Sequence, residues 1–271
     1  EMIIWGGRNS GNLNTGGRYN PSTDSWSPTS TGVDCPTGRI GNTAIWTGKE
    51  MIVWGGFDGS NYLKSGGRYN PATDTWVATS TGGSCPSARA WHTSVWTGTE
   101  MIVWGGFYDY TYLQTGGRYF PETDIWTTIS TGTGCPIGRA SHSAVWTDSE
   151  MIIWGGNTAS FTYTKTGGRY NPSTDSWTET STATGCPSMR DSHAAAWTGS
   201  RMIIWGGGYR DDYGNEYFTN TGGLYNPWTD SWAATSTGAN CPAARNGNTA
   251  VWTGTEMIVW GGYNEEGYLL A

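Results

Sequence analysis

One block of sequence recurs about every 50 residues along the chain, and this repeat constrains the fold more than any other feature. The block is Met-Ile-(Ile/Val)-Trp-Gly-Gly, and its copies begin at Met2, Met51, Met101, Met151, Met202 and Met257. Two further blocks alternate with it in a fixed order: Gly-Gly-Arg-Tyr-Asn-Pro-x-Thr-Asp-x-Trp, and a segment that runs from an Arg to Trp-Thr. Such self-similarity predicts stacked copies of one supersecondary unit.

Each block has the pattern of a short β-strand. In the first complete unit the predicted strands are Asn42–Trp46, Met51–Trp54, Gly67–Tyr69 and Thr75–Thr79. Met51–Trp54 is apolar at every position, so both of its faces should be buried between stacked sheets. The Thr-Gly and Asn-Pro-x-Thr-Asp sequences between the strands are turn formers. Four strands in each unit, with no helical periodicity, predict the blade of a β-propeller, whose strands we name A to D from the inside outwards.

The order of these motifs resembles the kelch repeat. Strand A carries a His in three units, strand B ends in Gly-Gly, strand C carries a Tyr and strand D a Trp. More narrowly, the repeats resemble the Trp-rich kelch arrays of bacterial surface and secreted proteins, and the resemblance covers essentially the whole chain. It implies four-stranded blades around a central channel, and binding more often than catalysis. We therefore predict an all-β fold, a single kelch-like propeller domain over residues 1–271, and an extracytoplasmic location, secreted or at the cell surface.

The strand count leaves the number of blades open. The chain supplies strands B to D of a first blade over residues 2–31, four complete units, and a last pair of strands A and B over residues 245–262. In a five-bladed ring the last strand A would pair with the first strand B, and the strand Met257–Trp260 would have no place in a blade. A six-bladed ring would instead lack three strands. The five repeat units thus fit a five-bladed closure or a segment of a six-bladed ring. Unpaired edges would invite pairing with another chain, so self-association is a further expectation.

Charge and hydropathy argue against two classes of partner. The formal net charge is −7, which disfavours a nucleic-acid or anionic-membrane surface, since both attract clustered Lys and Arg. No stretch approaches the roughly 18 apolar residues of a membrane span. The chain begins with Glu1 and an apolar strand, and we expect a processed, trimmed or excised segment without a signal peptide.

Polar residues that recur in every unit favour structural roles over catalytic ones. One position of strand A holds His or Asn, and because both can donate and accept a hydrogen bond, we predict a bond to the backbone rather than a metal site. Its occupants are Asn42, His92, His142, His193 and Asn248. A recurring Arg and a recurring Asp predict internal hydrogen bonds and turn caps; these are Arg39, Arg89, Arg139, Arg190 and Arg245, and Asp24, Asp74, Asp124, Asp175 and Asp230. In one unit Arg201 replaces a Glu and Leu224 replaces the Arg of strand C, which indicates coupled electrostatics.

The cysteines also occupy one repeat position, before a Pro in the loop that leads into strand A. They are Cys35, Cys85, Cys135, Cys186 and Cys241. A disulfide between two of them would need Cα atoms within about 7 Å, which repeat geometry allows only near the axis. We predict small buried residues that pack between blades. A ring of thiolates that binds a soft metal at the channel mouth, or disulfides to another protomer, are the alternatives.

The connections between strands B and C vary from unit to unit, and we predict that binding occurs there. They span Arg8–Thr15, Phe57–Ser65, Phe107–Thr115, Asn157–Thr166 and Gly208–Thr221, and should share one face of the disc. They are rich in aromatic residues, which suit protein partners and sugar rings but could equally cover the loop backbone. These candidate ligand-binding residues are Tyr62, Tyr108, Tyr110, Tyr112, Phe161, Tyr163, Tyr209, Tyr213 and Tyr217.

The longest of these loops is also rich in oxygen ligands. Asp211, Asp212, Asn215 and Glu216 offer enough carboxylate and amide oxygens for Ca²⁺, although their spacing is not that of an EF-hand loop. We include Asp211, Asp212 and Glu216 among the candidate ligand-binding residues and as weak candidates for a metal site. No other cofactor is expected.

Three functions fit this pattern. The first is a non-catalytic binding or scaffold propeller that presents its B–C loops to a protein partner. The second is a lectin with shallow sugar sites formed by loop aromatics, and the third is an enzyme that uses the loop at residues 208–221. Some kelch propellers are copper radical oxidases, but their site needs a Cys cross-linked to Tyr and His ligands, whereas here each Cys is a repeat element. No G-x-S-x-G, H-E-x-x-H or phosphate-binding loop occurs, so we favour the first function.

Overall fold

The computed structural model describes residues 1–159 and 162–269. Within this part of the chain the regular structure is antiparallel β-sheet, and there is no α-helix. It follows that no helix among the described residues has the length and apolar character of a membrane span. The prediction of an all-β fold is confirmed. The chain divides into two compact units, residues 1–129 and 130–271.

The first unit contains three blade sheets and one short two-stranded hairpin. The first sheet has strands β1 (Met2–Trp5), β2 (Gly16–Asn20) and β3 (Ser25–Pro28). The second has β4 (Thr43–Trp46), β5 (Met51–Trp54), β6 (Gly66–Asn70) and β7 (Thr75–Ala78). The third has β8 (Thr93–Trp96), β9 (Met101–Trp104), β12 (Gly116–Phe120) and β13 (Ile125–Thr128), with a short hairpin of β10 (Phe107–Tyr108) and β11 (Thr111–Tyr112) in its B–C loop.

The second unit repeats this arrangement. Its first sheet has β14 (Ser143–Trp146), β15 (Met151–Trp154), β18 (Gly167–Asn171) and β19 (Ser176–Glu179), and its second has β20 (Ala194–Trp197), β21 (Met202–Trp205), β24 (Gly222–Asn226) and β25 (Ser231–Ala234). A last pair is β26 (Thr249–Trp252) and β27 (Met257–Trp260). Short hairpins occupy the B–C loops: β16 (Asn157–Thr158) with β17 (Thr162–Tyr163), β22 (Gly208–Arg210) with β23 (Glu216–Phe218), and β28 (Tyr263–Asn264) with β29 (Gly267–Tyr268).

Every complete sheet has the order A-B-C-D, which is the order of a propeller blade. Strands A and B are joined by a tight turn, in which the Thr47 hydroxyl accepts hydrogen bonds from the amides of Lys49 and Glu50 and Gly48 has a φ of 94°. Along the chain, a three-stranded sheet precedes four complete blades and a two-stranded sheet follows them, as the repeats predict. The choice between five-bladed closure and a six-bladed segment stays a prediction.

Strand B forms the core because both of its faces are covered. Ile52 and Trp54 pack against strands β9, β12 and β13 of the following blade, whereas Met51 and Val53 pack against the preceding sheet. This confirms the prediction from the uninterrupted apolar run. The strands at the two ends of the chain instead alternate in exposure: Ile4 is 53% exposed and Ile258 is 51% exposed.

In the first unit the repeated Asp joins a blade to the sheet that precedes it. The Oδ1 atom of Asp74 accepts a hydrogen bond from the Tyr69 hydroxyl at 2.6 Å and from the Ser30 amide of the preceding sheet at 2.8 Å. The indole of Trp76 donates to the Ser30 carbonyl at 2.8 Å. Asp74 has a φ of 52°, a left-handed conformation that Asp tolerates better than most residues. The predicted turn cap is confirmed, and it also extends across the blade interface.

Paired substitution of a Glu and an Arg in one blade also has a structural basis. In two blades of the first unit the Glu after the A–B turn faces the Arg of strand C, with N–O distances of 2.7 Å for Glu100–Arg118 and 3.9 Å for Glu50–Arg68. In the second unit Glu150 and Arg169 are 3.8 Å apart. Arg201 and Leu224 occupy these two places in the next blade, so the loss of one partner accompanies the loss of the other.

Candidate binding face

A buried Arg fixes the base of each B–C loop. The Nη1 atom of Arg39 donates to the carbonyls of Gly55 and Ser65, at 3.0 Å and 2.7 Å, which are the two ends of the loop. Arg89, Arg139 and Arg190 make the same pair of bonds in their own blades. Burial lowers the pKa of Arg39 to about 10, so the guanidinium keeps its charge at neutral pH. The predicted internal hydrogen bonds are confirmed, and they give the variable loops rigid ends.

The surroundings of the repeated His residues indicate a structural role. His92 and His193 are buried, and their Nε2 atoms lie 3.0 Å from the Thr43 hydroxyl and 2.8 Å from the Ser143 hydroxyl of the preceding blade. Burial lowers the pKa of both imidazoles to about 3, so they are neutral at physiological pH. A hydroxyl partner was not among the predictions, which named only the backbone. Neutral, buried and already bonded at Nε2, these rings resemble packing elements more than ligands.

In the first unit the loop aromatics form one contiguous cluster. Tyr62 is its central ring, and it lies 5.0 Å from Phe57, 6.0 Å from Phe107 and 5.4 Å from Tyr108 between ring centroids. Phe107 also lies 5.0 Å from Tyr112, across the hairpin. Residues of two successive blades are therefore joined in one apolar surface.

Trp91 completes this cluster, although sequence reasoning did not select it. It lies in the loop that leads into strand A, and its ring is 6.4 Å from Tyr62 and 6.2 Å from Phe107. Its φ is 54°, and the equivalent positions in the other units hold Gly or Ser. A bulky residue in this left-handed conformation is unusual, so the signal that could have found it is a Trp at a repeat position otherwise reserved for small residues.

Two tyrosines of the first unit remain open to solvent at the tip of the hairpin. Tyr110 is 90% exposed, and Tyr108 is also exposed although one side of it contacts Tyr62. Asp109 and Tyr110 have φ values of 42° and 64°, which turn the chain sharply between β10 and β11. The hairpin thus projects an aromatic side chain away from the blade.

The second unit carries its own aromatic group. Tyr209 is stacked on Tyr217 across the β22–β23 hairpin, with centroids 5.0 Å apart and an interplanar angle of 15°. Tyr163 of the preceding loop lies 6.4 Å from Tyr209. Tyr213, at the hairpin tip, is 92% exposed. Phe161, which was predicted to belong to this group, lies outside the described residues.

A sixth B–C loop extends the aromatic surface of the second unit beyond the five predicted ones. It follows strand β27 and forms the hairpin β28–β29. Tyr263 contacts Phe218 of the preceding loop at 5.5 Å and Tyr268 at 6.3 Å. Its signal was present in the sequence, because an aromatic residue follows Gly-Gly here as in two earlier units.

Asp191 is a carboxylate that sequence reasoning missed. Its backbone is bridged to Gly208 at the base of the β22–β23 hairpin, and the equivalent position in the other units holds Ile, Ala or Asn. Burial raises its pKa to about 6, against the opposing effect of hydrogen bonding from Ser192 and the charge of Arg210. Burial raises the pKa of Tyr163, and the charge of Asp191 raises it further. This makes the loop base of one blade chemically unlike the others.

The acidic residues of the longest loop are largely engaged within the loop. The side-chain amide of Asn215 donates a hydrogen bond to Asp211, and the backbone amides of Asn215 and Tyr213 and the Tyr217 hydroxyl donate to the same carboxylate. These bonds lower the pKa of Asp211. Glu216 pairs with Arg210 at 2.5 Å. Within the described residues no group of three or more His, Cys, Asp or Glu side chains is placed to hold a metal ion. Asp212 lies in the same loop, and calcium binding here stays a prediction.

All five cysteines are half-buried, and they take part in no disulfide. Cys35, Cys85 and Cys186 contact the apolar clusters that join successive sheets. Burial raises the pKa of Cys85 to about 11, which keeps the thiol protonated at neutral pH. The Pro after each Cys has its own packing role: a Cβ added at Gly67 would lie 2.7 Å from Pro36 Cγ, so the close approach requires glycine. These contacts support a packing role for the three cysteines, and the role of the set stays a prediction.

Repeated four-stranded blades define the chain as a β-propeller. Comparison with known families identifies which one: the profile of the Attractin/LZTR1 beta-propeller family matches residues 2–269, so the chain belongs to that family. A search of curated proteins finds no match. The kelch-type resemblance drawn from the motifs is thereby confirmed.

Proposed function

We propose that this chain is a non-catalytic scaffold that binds a protein partner through its B–C loops. One observation carries the proposal: aromatic rings of successive loops contact one another, on loop ends fixed by buried Arg residues, and leave exposed tyrosines at the hairpin tips. Protein interfaces favour such rigid aromatic side chains, since they bury much area and lose little conformational entropy. The kelch-type family supports the same coarse function.

The loop geometry favours a protein over a glycan. A lectin with repeated sites needs flat ring faces that are open at equivalent positions of each blade. Here the face of Tyr209 is covered by Tyr217, and Tyr62 is enclosed by Phe57, Phe107 and Tyr108. What remains exposed differs from loop to loop, which suits a partner with one extended, irregular surface.

The base of the loop near Asp191 adds a charge element to this surface. Arg210, Glu216 and Asp191 influence one another electrostatically, and Arg210 and Glu216 are paired at the surface. Mixed charge beside tyrosines supports a partner with polar groups around an apolar centre. The loop of the first unit that contains Tyr62 carries Asp58 and Lys64 instead, so we expect the two units to contribute different contacts.

An extracytoplasmic location belongs to the same proposal. It rests on the resemblance of the repeats to the kelch arrays of secreted and surface proteins. Free thiols are a difficulty for it, since exposed thiols oxidise outside the cytoplasm. Cys35, Cys85 and Cys186 are nevertheless half-buried, and their pKa values are raised. Because the thiolate is the form that oxidises readily, such thiols are compatible with an oxidising environment outside the cytoplasm.

Two parallel screens of the purified chain test the proposal. One is a glycan array with and without Ca²⁺, and the other is selection from a displayed library of random peptides. We expect peptides with a shared sequence pattern and a blank array. A single saccharide class bound on the array, with no enriched peptide, would overturn the protein-binding function in favour of the lectin.

A further inference from the structure

One loop base of the second unit holds a carboxylate that has no ion-pair partner of its own. Asp191 is half-buried beneath the β22–β23 hairpin, and within residues 1–159 and 162–269 it forms no salt bridge. We propose that Asp191 and the tyrosines around it bind a basic side chain, Lys or Arg, of the partner protein. This inference rests on the proposed function and adds to it the chemistry of one contact.

The backbone leaves a position without a side chain beside this carboxylate. Asp191 and Gly208 exchange both backbone hydrogen bonds, at 2.9 Å and 3.2 Å, so their Cα–Cβ directions lie side by side on one face. The equivalent bridges of the other blades have a side chain here, that of Phe57, Phe107, Asn157 or Tyr263. A Cβ on Gly208 would lie 2.5 Å from the Tyr217 carbonyl oxygen. The chain therefore cannot fill this position with a side chain of its own.

Tyrosine rings from neighbouring loops surround the same place. Burial raises the pKa values of Tyr163 and Tyr263, and the charge of Asp191 contributes to both increases, so both hydroxyls lie within its field. Tyr209, the residue after Gly208, has its ring 6.4 Å from that of Tyr163. An aromatic ring attracts a cation to its face, and a carboxylate beside it adds a full negative charge. This combination suits an ammonium or guanidinium group.

The charges at the loop base leave one negative charge in excess. Arg210 donates two hydrogen bonds to Glu216, at 2.9 Å and 2.5 Å, so these two charges balance within the hairpin. Asp191 is the remaining charge of the three, and one basic side chain would neutralise it. An ion pair in such a partly desolvated place is stronger than one at an open surface.

Asp191 also opposes folding, which is unusual for a structural residue. Burial raises its pKa to about 6, so its surroundings disfavour the charge that it carries at neutral pH. The equivalent positions hold uncharged residues, namely Ile40, Ala90, Ala140 and Asn246. A charged residue that lowers stability at a repeat position otherwise free of charge is typical of a binding site.

A small cation tests the site directly. The probe is n-butylguanidinium, with n-butylurea as the uncharged control, and binding to the isotope-labelled full chain is followed through the amide chemical shifts of Ser192 and Gly208. We expect a saturable shift with the cation alone at pH 7. Affinity should fall by about fivefold or more at pH 5, because Asp191 is then mostly protonated.

A matched pair of variants assigns the binding to one carboxylate. Asp191→Asn should weaken binding of n-butylguanidinium by about fivefold or more at pH 7 and remove its pH dependence. The other titratable groups that face Asp191 remain in this variant; they are Arg210, Glu216, Tyr163 and Tyr263. Asp58→Asn makes the same change in a B–C loop of the first unit and should leave the affinity unchanged. Equal binding by the parent and Asp191→Asn, or binding of n-butylurea as tight as that of the cation, would overturn the proposal.

Peptides selected on the chain separate this inference from the proposed function. A Lys or Arg should recur in them, and Asp191→Asn should weaken only the peptides that carry it. Enriched peptides without a recurrent basic residue would overturn the inference and leave the loop function standing. An empty selection would overturn the loop function and, with it, the assignment of the cation to a partner protein.

Discussion

The ring centroids of Trp91 and Tyr62 lie 6.4 Å apart at an interplanar angle of 73°, an edge-to-face contact between two different blades. Tyr62 comes from the B–C loop of the second sheet, and Trp91 from the segment that enters the third. The contact joins the variable loop of one blade to a normally small position of the next. It shows that the candidate face of the first unit is assembled between blades as well as within each repeat.

Tyr62→Ala should destabilise the chain more than Tyr110→Ala does. Tyr62 contacts several rings, and each aromatic pair is worth about 0.5–1.5 kcal/mol beyond its area, so we expect a loss of roughly 2 kcal/mol. Tyr110 is almost fully exposed, and its replacement should change the free energy of unfolding by less than about 0.5 kcal/mol. Urea unfolding of both variants measures the difference. Equal effects would show that the cluster does not hold the loops in place.

Glu100→Gln and Glu50→Gln should have unequal effects. Glu100 is buried and receives two hydrogen bonds from Arg118, at 2.7 Å and 2.8 Å, so losing its charge should cost about 1.5–3 kcal/mol. The nearest N–O distance between Glu50 and Arg68 is 3.9 Å, and such a partly exposed pair contributes about 0–1 kcal/mol. Equilibrium unfolding at neutral pH compares the two. A larger loss for Glu50→Gln would contradict the geometry.

Buried neutral histidines should make the chain sensitive to acid. The pKa of His92 and His193 is lowered from 6.5 to about 3 in the folded state, so the unfolded chain binds more protons between these values. Their contribution to stability is complete above pH about 6.5 and is lost as the pH falls towards 3. His92→Asn, the residue found in two other units, should reduce this slope. Thermal unfolding from pH 7 to pH 4 measures it, and an unchanged slope in the variant would contradict the assignment.

Asp191 should have the opposite pH dependence. Its pKa is raised from 3.8 to about 6, so the folded state holds the proton more tightly and the associated stability is lost as the pH rises from about 4 through 6. Asp191→Asn removes this penalty and should raise the melting temperature at pH 7 more than at pH 4. Asn246 occupies the equivalent position in the next unit, so the substitution fits the local backbone. A lower melting temperature at pH 7 would count against a penalised carboxylate.

The repeats allowed the strands and their order to be predicted, because each block combines β-prone residues with its own turn signals. Small errors lie at strand ends: the predicted strand Gly67–Tyr69 extends over Gly66–Asn70. Hairpins inside the B–C loops were missed, since β10–β11 and β22–β23 consist of short strands without alternating apolar residues. The local pattern was too short to separate strand from turn.

The sequence predicts that the repeated polar residues form internal hydrogen bonds, but it does not identify the residues to which they bond. Asp74 bonds Ser30 and His92 faces Thr43, pairs that lie more than 40 residues apart in the chain. Such contacts depend on how one blade packs on the next, which a single repeat does not reveal. Comparison of the repeats could have identified Trp91 and Asp191 as candidate functional residues, because each differs in type from the residues at the equivalent positions of the other units.

The central claim is that recognition occurs at the B–C loops. Its most direct test is the dissociation constant of a peptide selected on the chain, measured for three proteins: the parent, a loop variant with Tyr108→Ala, Tyr110→Ala and Tyr213→Ala, and Trp228→Ala. Trp228 is the matched control, since it is 68% exposed and lies in a C–D turn, at the other end of strand C from the B–C loop. We predict at least a tenfold loss of affinity in the loop variant and less than a twofold change in the control. A loop variant that binds like the parent, with affinity lost in Trp228→Ala instead, would contradict the account.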